Sequence, residues 1–211
     1  FNGSKNQGDT VVTTLDADLQ QAASDALGDY RGAVVIMEAD TGKILAMVSK
    51  PDFDPNEISA NWETLNTDEQ NSPLLNRATG GSYAPGSVFK IVTTLAYMRQ
   101  YSNYSDYSYD CTGSITEGDT TIPCAGGNVH GYEDLRSSFA NSCNSSFANI
   151  GLQLDISGFR DTAEDLLFNS QLPSVLDYTK SSFVLNEDSP TSEIMMTAMG
   201  QGKTTVSPYH M

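Results

Sequence analysis

The chain has 211 residues, 38% apolar and 18% charged, the composition of one ordinary globular domain rather than a disordered or fibrous segment. With 27 acidic against 11 basic residues its formal charge is −16, which repels the phosphate backbones that a nucleic-acid binder must attract. No apolar run is long enough for a membrane-spanning helix and no charged-then-apolar leader opens the sequence, so any membrane contact is expected through an anchor outside these residues.

The opening stretch is polar and contains Gly, Asn and Ser, which reads as a linker over 1–12 ahead of a domain over 13–211. From Leu15 the apolar positions Leu15, Leu19, Ala22, Ala23, Ala26 and Leu27 keep helical spacing, and Gly28 supplies the stop. Two β-rich runs, Ala33 to Ala39 and Lys43 to Ser49, flank the tight turn Asp40-Thr41-Gly42, and their near-continuous apolarity predicts hairpin strands covered on both faces. Pro51 to Thr79 is loop-like, with a short helix expected around Leu74 to Ala78.

Tyr83-Ala84-Pro85-Gly86 then stops any regular element, and Ser87 to Arg99 resumes a helical pattern through Val88, Ile91, Val92, Leu95 and Met98. The run Tyr101 to Tyr109 alternates tyrosine with Ser, Asn and Asp and is expected in an irregular surface loop. Asp134 to Leu154 predicts two helical pieces meeting at Asn141-Ser142-Cys143-Asn144. Ser157 to Phe168 predicts another, and Ser189-Pro190 opens one more that runs to Met199.

Cys111, Cys124 and Cys143 are too few for a disulfide scaffold. Twelve residues separate the first two in a Gly/Thr/Pro-rich stretch that could form a hairpin, so the spacing fits either a Cys111–Cys124 disulfide or two free thiols. Cys111, Cys124 and His130 are conceivable zinc ligands, but CxxC and HxxxH pairings are missing and the other histidine is His210, so neither a metal site nor a cofactor is expected.

Serine is a poor nucleophile until something takes its proton, and a lysine three residues later on a helix projects from the same face. Ser87-Val88-Phe89-Lys90 has this spacing, and a helix start adds free N–H groups and a dipole that favour an oxyanion. A lysine acting as base must be neutral, which partial burial promotes. The bland alternative is a capping serine followed by a solvated lysine. Ser142-Cys143-Asn144 offers a hydroxyl that could relay a proton and an amide that could hold a substrate amide, or else an ordinary interhelical turn.

These motifs, in this order, resemble the penicillin-binding protein transpeptidase family. NRATGGSYAPGSVFKIVT is similar to the family's segment around the nucleophile, and SSFANSCNSSFANIG to its second motif. TTLDADLQQAA with GAVVIMEADTGKILAMVSKPDFDPN resembles its opening helix and first two strands, and TAMGQGKTTVSPYHM the stretch ahead of its third motif. The resemblance implies an α+β fold, an antiparallel sheet flanked by helices with a helical subdomain. It further implies Ser87 as acyl-accepting nucleophile, Lys90 as its proton acceptor, Ser142 as relay and Asn144 as substrate holder, although which residue is the acylation base is disputed among relatives sharing the motifs.

The third motif, Lys-Thr-Gly on a strand, is not found. Gly202-Lys203-Thr204-Thr205 lacks the closing glycine, so the domain is expected to be incomplete and these residues alone inactive. Asp165-Leu166-Leu167-Phe168-Asn169 matches only the spacing of a β-lactamase deacylation motif. The expected partners are peptidoglycan stem peptides and β-lactams as covalent inhibitors, met on the extracytoplasmic face of a bacterial membrane. The rival functions are a D,D-carboxypeptidase, a β-lactamase, and a β-lactam sensor or inactive scaffold.

Overall fold

The computed structural model describes residues 9–211, so most of the predicted linker lies outside the described residues. The chain forms two units, Phe1–Ala78 and Thr79–Met211. Both combine helices with antiparallel strand pairs or bridges, the mixed α+β class that the resemblance implies. No helix among the described residues is long and apolar enough to cross a membrane.

In the first unit, helix α1 (Ala17–Leu27) starts where the Asp16 carboxylate accepts the N–H groups of Asp18 and Leu19, both at 3.0 Å, and stops at Gly28. Strands β1 (Gly32–Met37) and β2 (Ile44–Lys50) pair antiparallel around the predicted turn. Leu27 and Ala23 of α1 pack on Val34, Ile36, Ala46 and Val48. Only Ala46 and Val48 of the two strands are buried, so within this unit the pair is covered on one face rather than two.

Helix α2 (Ile58–Thr67) falls in the stretch expected to be a loop, and none of its residues is buried. The helix expected at Leu74 to Ala78 is absent. Side chains claim the backbone there: Ser49 Oγ accepts the Arg77 N–H and Asn76 Oδ1 accepts that of Ala78, at 2.9 and 3.0 Å.

The second unit is built on helices α3 (Lys90–Gln100), α4 (Leu135–Ala140), α5 (Asn144–Gln153), α6 (Ile156–Asp165) and α7 (Thr191–Ala198). Helix α3 lies against α5 and α6, and α5 against α7. Between α3 and α4 the chain makes β3 (Ser108–Cys111), the hairpin β4 (Ser114–Glu117) and β5 (Thr120–Pro123), and β6 (Gly131–Asp134), which pairs antiparallel with β3. Phe89 is the hub of the core: it is fully buried and its ring meets those of Phe159, Phe168 and Phe183 at 5.5–6.3 Å.

The tyrosine run is less superficial than its composition suggests. Tyr107 is buried, its hydroxyl 2.9 Å from Ser146 Oγ and taking a hydrogen bond from Asn149 Nδ2 at 3.1 Å, and burial pushes its pKa up to about 12.

Candidate active site

The approach to Ser87 is fixed by two backbone contacts. Tyr83 bridges antiparallel to Val206, and the Gly86 N–H donates to Gly200 O at 2.7 Å. Both glycines have positive φ, +66° and +86°, and a Cβ on Gly200 would run into the Gly86 carbonyl. Gly86–Phe89 then forms a 3₁₀ turn that leads directly into α3, so Ser87 sits one turn ahead of the helix proper and stays exposed.

Phe89 anchors this turn in the core, and Lys90 follows it inward to 1% exposure. The ammonium makes four polar contacts: Ser87 Oγ at 3.3 Å, Ser142 O at 2.7 Å, Ser142 Oγ at 2.9 Å and Asn144 Oδ1 at 2.8 Å. It also lies 5.3 Å from the centre of the Phe147 ring. Burial pushes its pKa down from 10.5 to about 8, against an opposing effect of the neighbouring Cys143 and Cys124 sulfurs.

Ser142 and Asn144 reach Lys90 because the predicted interruption is a tight turn. Ser142 adopts φ +50°, a left-handed conformation that is strained for a residue with a Cβ. The Cys143 N–H returns to Ser138 O at 2.9 Å, closing α4 much as a glycine C-cap would. Asn141 Nδ2 donates to Glu133 Oε1 at 2.8 Å, and Glu133 is fully buried, so a carboxylate on β6 holds the turn from behind. Pro123 O accepts Asn144 Nδ2 at 3.3 Å, which fixes the amide with Oδ1 toward Lys90.

Ser87, Ser142 and Asn144 thus converge on the amine of Lys90. Glu133 and Pro123 were not singled out from sequence, since a lone acid and a loop proline carry no pattern. Lys203 lies elsewhere: its side chain is 79% exposed and faces Glu193 at 3.8 Å. Asp165 pairs with Arg99 at 2.7 Å on the surface.

The three cysteines are free thiols. Cys111 Sγ and Cys124 Sγ are 3.7 Å apart, in contact but not at the roughly 2.05 Å of a disulfide. Cys124 Sγ is also 3.7 Å from Cys143 Sγ, and Cys111 Sγ is 3.3 Å from His130 Nδ1. The fold also brings Cys143, from a separate turn, to within 4.8 Å of the other three side chains.

Residues 32–211 match the family model of the penicillin binding protein transpeptidase domain, and the chain belongs to that family. It is 33% identical over 226 residues to peptidoglycan D,D-transpeptidase PbpA of Mycobacterium tuberculosis, covering 99% of this chain and 45% of that protein. The PbpA of Mycolicibacterium smegmatis is 35% identical over 195 residues, 83% of this chain and 39% of that one. Penicillin-binding protein A from M. tuberculosis, solved as a penicillin G acyl-enzyme complex, superposes with a TM-score of 0.84 at 32% identity over 94% of this chain and 49% of that one. The D,D-transpeptidase domain of a peptidoglycan glycosyltransferase from Eggerthella lenta superposes with a TM-score of 0.81 at 29% identity, over 92% and 49%. The chain spans less than half the length of these relatives.

Proposed function

We propose that this chain carries the acyl-accepting centre of a serine D,D-transpeptidase, with Ser87 as nucleophile, Lys90 as its proton acceptor, Ser142 as proton relay and Asn144 as substrate holder. The observation that carries this reading is the set of atoms around Lys90 Nζ. Two of its four neighbours, Ser142 O and Asn144 Oδ1, can only accept. A neutral amine gives its two N–H groups to them, and its lone pair is left for a hydroxyl proton, that of Ser87 or Ser142.

Chemically, Ser87 Oγ attacks the carbonyl carbon of the terminal D-alanyl-D-alanine bond of a stem peptide while its proton passes to Lys90 Nζ. The tetrahedral adduct then collapses, the C–N bond breaks, and the proton returns through Ser142 Oγ to the leaving amine of D-alanine. An amine of a second strand finally attacks the ester carbonyl, a new C–N bond forms as the bond to Ser87 Oγ breaks, and the proton lost by the amine returns to Ser87 Oγ. A β-lactam opens on the same oxygen. The reaction belongs to the extracytoplasmic face of the bacterial membrane, where peptidoglycan lies.

The test is mass spectrometry of the full-length protein after exposure to a labelled penicillin. One adduct on Ser87 is expected, and it should vanish in Ser87→Ala while the melting temperature is kept. No adduct would sink the proposal. Rapid loss of the adduct would identify a β-lactamase, and release of D-alanine without cross-linking in the presence of an amine acceptor would identify a carboxypeptidase.

A further inference from the structure

We propose that Cys111, Cys124, Cys143 and His130 bind one zinc ion that fixes the Ser142–Asn144 turn against Lys90. One ligand atom from each lies within 4.8 Å of all the others. Four zinc bonds of about 2.3 Å to sulfur and 2.0–2.1 Å to nitrogen, directed to a tetrahedron, place sulfurs about 3.8 Å apart and sulfur about 3.5 Å from nitrogen. The observed edges are 3.7 Å for Cys111–Cys124, 3.7 Å for Cys124–Cys143 and 3.3 Å for Cys111 Sγ to His130 Nδ1. These three of the six edges match ligands around one centre, the other three are no longer than 4.8 Å, and both sulfur–sulfur edges are too long for an S–S bond.

Polar groups also surround the sulfurs. Ser145 Oγ lies 3.2 Å from Cys111 Sγ, 3.2 Å from Cys124 Sγ and 3.4 Å from Cys143 Sγ, touching all three sulfurs. The backbone N–H groups of Gly113 and His130 donate to Cys111, and that of Ser146 to Cys143. Such outer donors orient ligands and stabilise charge on coordinated sulfur. The three cysteines are buried and His130 is half-buried, which leaves an entry on the histidine side.

Three thiolates with one imidazole select zinc over the hard cations, which take oxygen donors, and four protein ligands close the coordination sphere. Binding releases the thiol protons to solvent and needs no oxidant. The ion therefore has no open position for substrate, and its role is structural. It would tie together the end of β3, the segment after β5, the approach to β6 and the α4–α5 turn. Cys143 stands between Ser142 and Asn144, whose side chains both contact Lys90, so a ligand bond there holds both in place.

The experiment uses the full-length protein purified reduced and without chelator. Elemental analysis should find close to one zinc per chain, and exchanged cobalt should give thiolate charge-transfer absorption with the ligand-field bands of a tetrahedral ion. Cys124→Ser and His130→Ala should each weaken zinc retention against a competing chelator by about 10-fold or more. His130→Cys, which keeps four ligands, should retain it and so separates ligand loss from misfolding. Less than about one zinc in ten chains, both as isolated and after zinc is offered to the reduced protein, would overturn the proposal. So would a disulfide between any two of the three cysteines in protein taken from its native compartment, or Cys124→Ser and His130→Ala proteins that hold zinc as tightly as the parent. None of these readouts depends on acylation of Ser87.

Discussion

Lys90 Nζ lies 2.8 Å from Asn144 Oδ1, although 54 positions separate the two residues in the chain. An amide oxygen there accepts an N–H without favouring the charged amine as a carboxylate would. Asn144→Asp should reverse this: a negative oxygen at hydrogen-bond distance is expected to raise the Lys90 pKa by about 1–3 units. Acylation at neutral pH should slow and its pH profile should move upward. An unmoved profile, measured as the second-order rate of penicillin labelling across pH, would show that Lys90 does not set the rate.

In the unsubstituted protein the same profile should rise with pH and level off above about 8, because burial lowers the Lys90 pKa to about 8 and the free base is the active form. Stability follows the same group. Its folded pKa lies below the unfolded 10.5, so the unfolded chain binds more protons between the two values. The penalty for burying the ammonium is thus complete below about pH 8 and is relieved as pH rises through the window from 8 to 10.5. Denaturant melts of Lys90→Met should show this pH-linked component removed, and its acylation should fall by about 10²–10⁴-fold. A rate independent of pH between roughly 6 and 9 would contradict the assignment.

What was legible in the sequence was local. The Ser87–Lys90 spacing and the break at Asn141–Asn144 each describe a single turn of chain, and each is found where its residues placed it. Helix α2 was missed because none of its residues is buried, so no apolar stripe marks it. The loss of the Leu74–Ala78 helix depends on Ser49, 28 positions from Arg77, and no window around that segment contains it. That Cys143 joins Cys111, Cys124 and His130 was hidden for the same reason. The four residues lie 13, 6 and 13 positions apart on four different segments, and the pairing of β3 with β6 and the turn after α4 bring them together.

Phe89 joins stability to the site. Between Ser87 and Lys90, it puts a fully buried ring among Phe159, Phe168 and Phe183. Phe89→Ala should destabilise the protein by about 3–5 kcal/mol. Because Ser87 and Lys90 flank the cavity so formed, labelling by penicillin at a temperature where the variant remains folded should also fall, by about 100-fold if Ser87 moves by 1 Å. Phe89→Leu, which leaves a smaller cavity, should show both effects in weaker form. Full labelling speed in a destabilised Phe89→Ala would mean that the 3₁₀ turn is held by its backbone contacts alone.

Gly200 tests those backbone contacts. Its φ of +86° and the Gly86 carbonyl in the space a Cβ would need leave no relaxed position for alanine. Gly42 provides the control, since at φ +70° it has nothing within 4 Å of a built Cβ. Gly42→Ala should therefore carry only the intrinsic left-handed penalty of about 1–2 kcal/mol. Gly200→Ala adds a steric clash and should exceed about 4 kcal/mol, the range in which backbone strain at special positions appears. The clash also bears on catalysis. Gly86 N–H donates to Gly200 O at 2.7 Å directly before Ser87, so any relief of the overlap pushes on the residue preceding Ser87. Thermal melts should rank the two variants in this order, and at matched folded fraction only Gly200→Ala should lose penicillin labelling. Equal losses of stability would show that the Gly86–Gly200 contact yields easily and does not fix the position of Ser87.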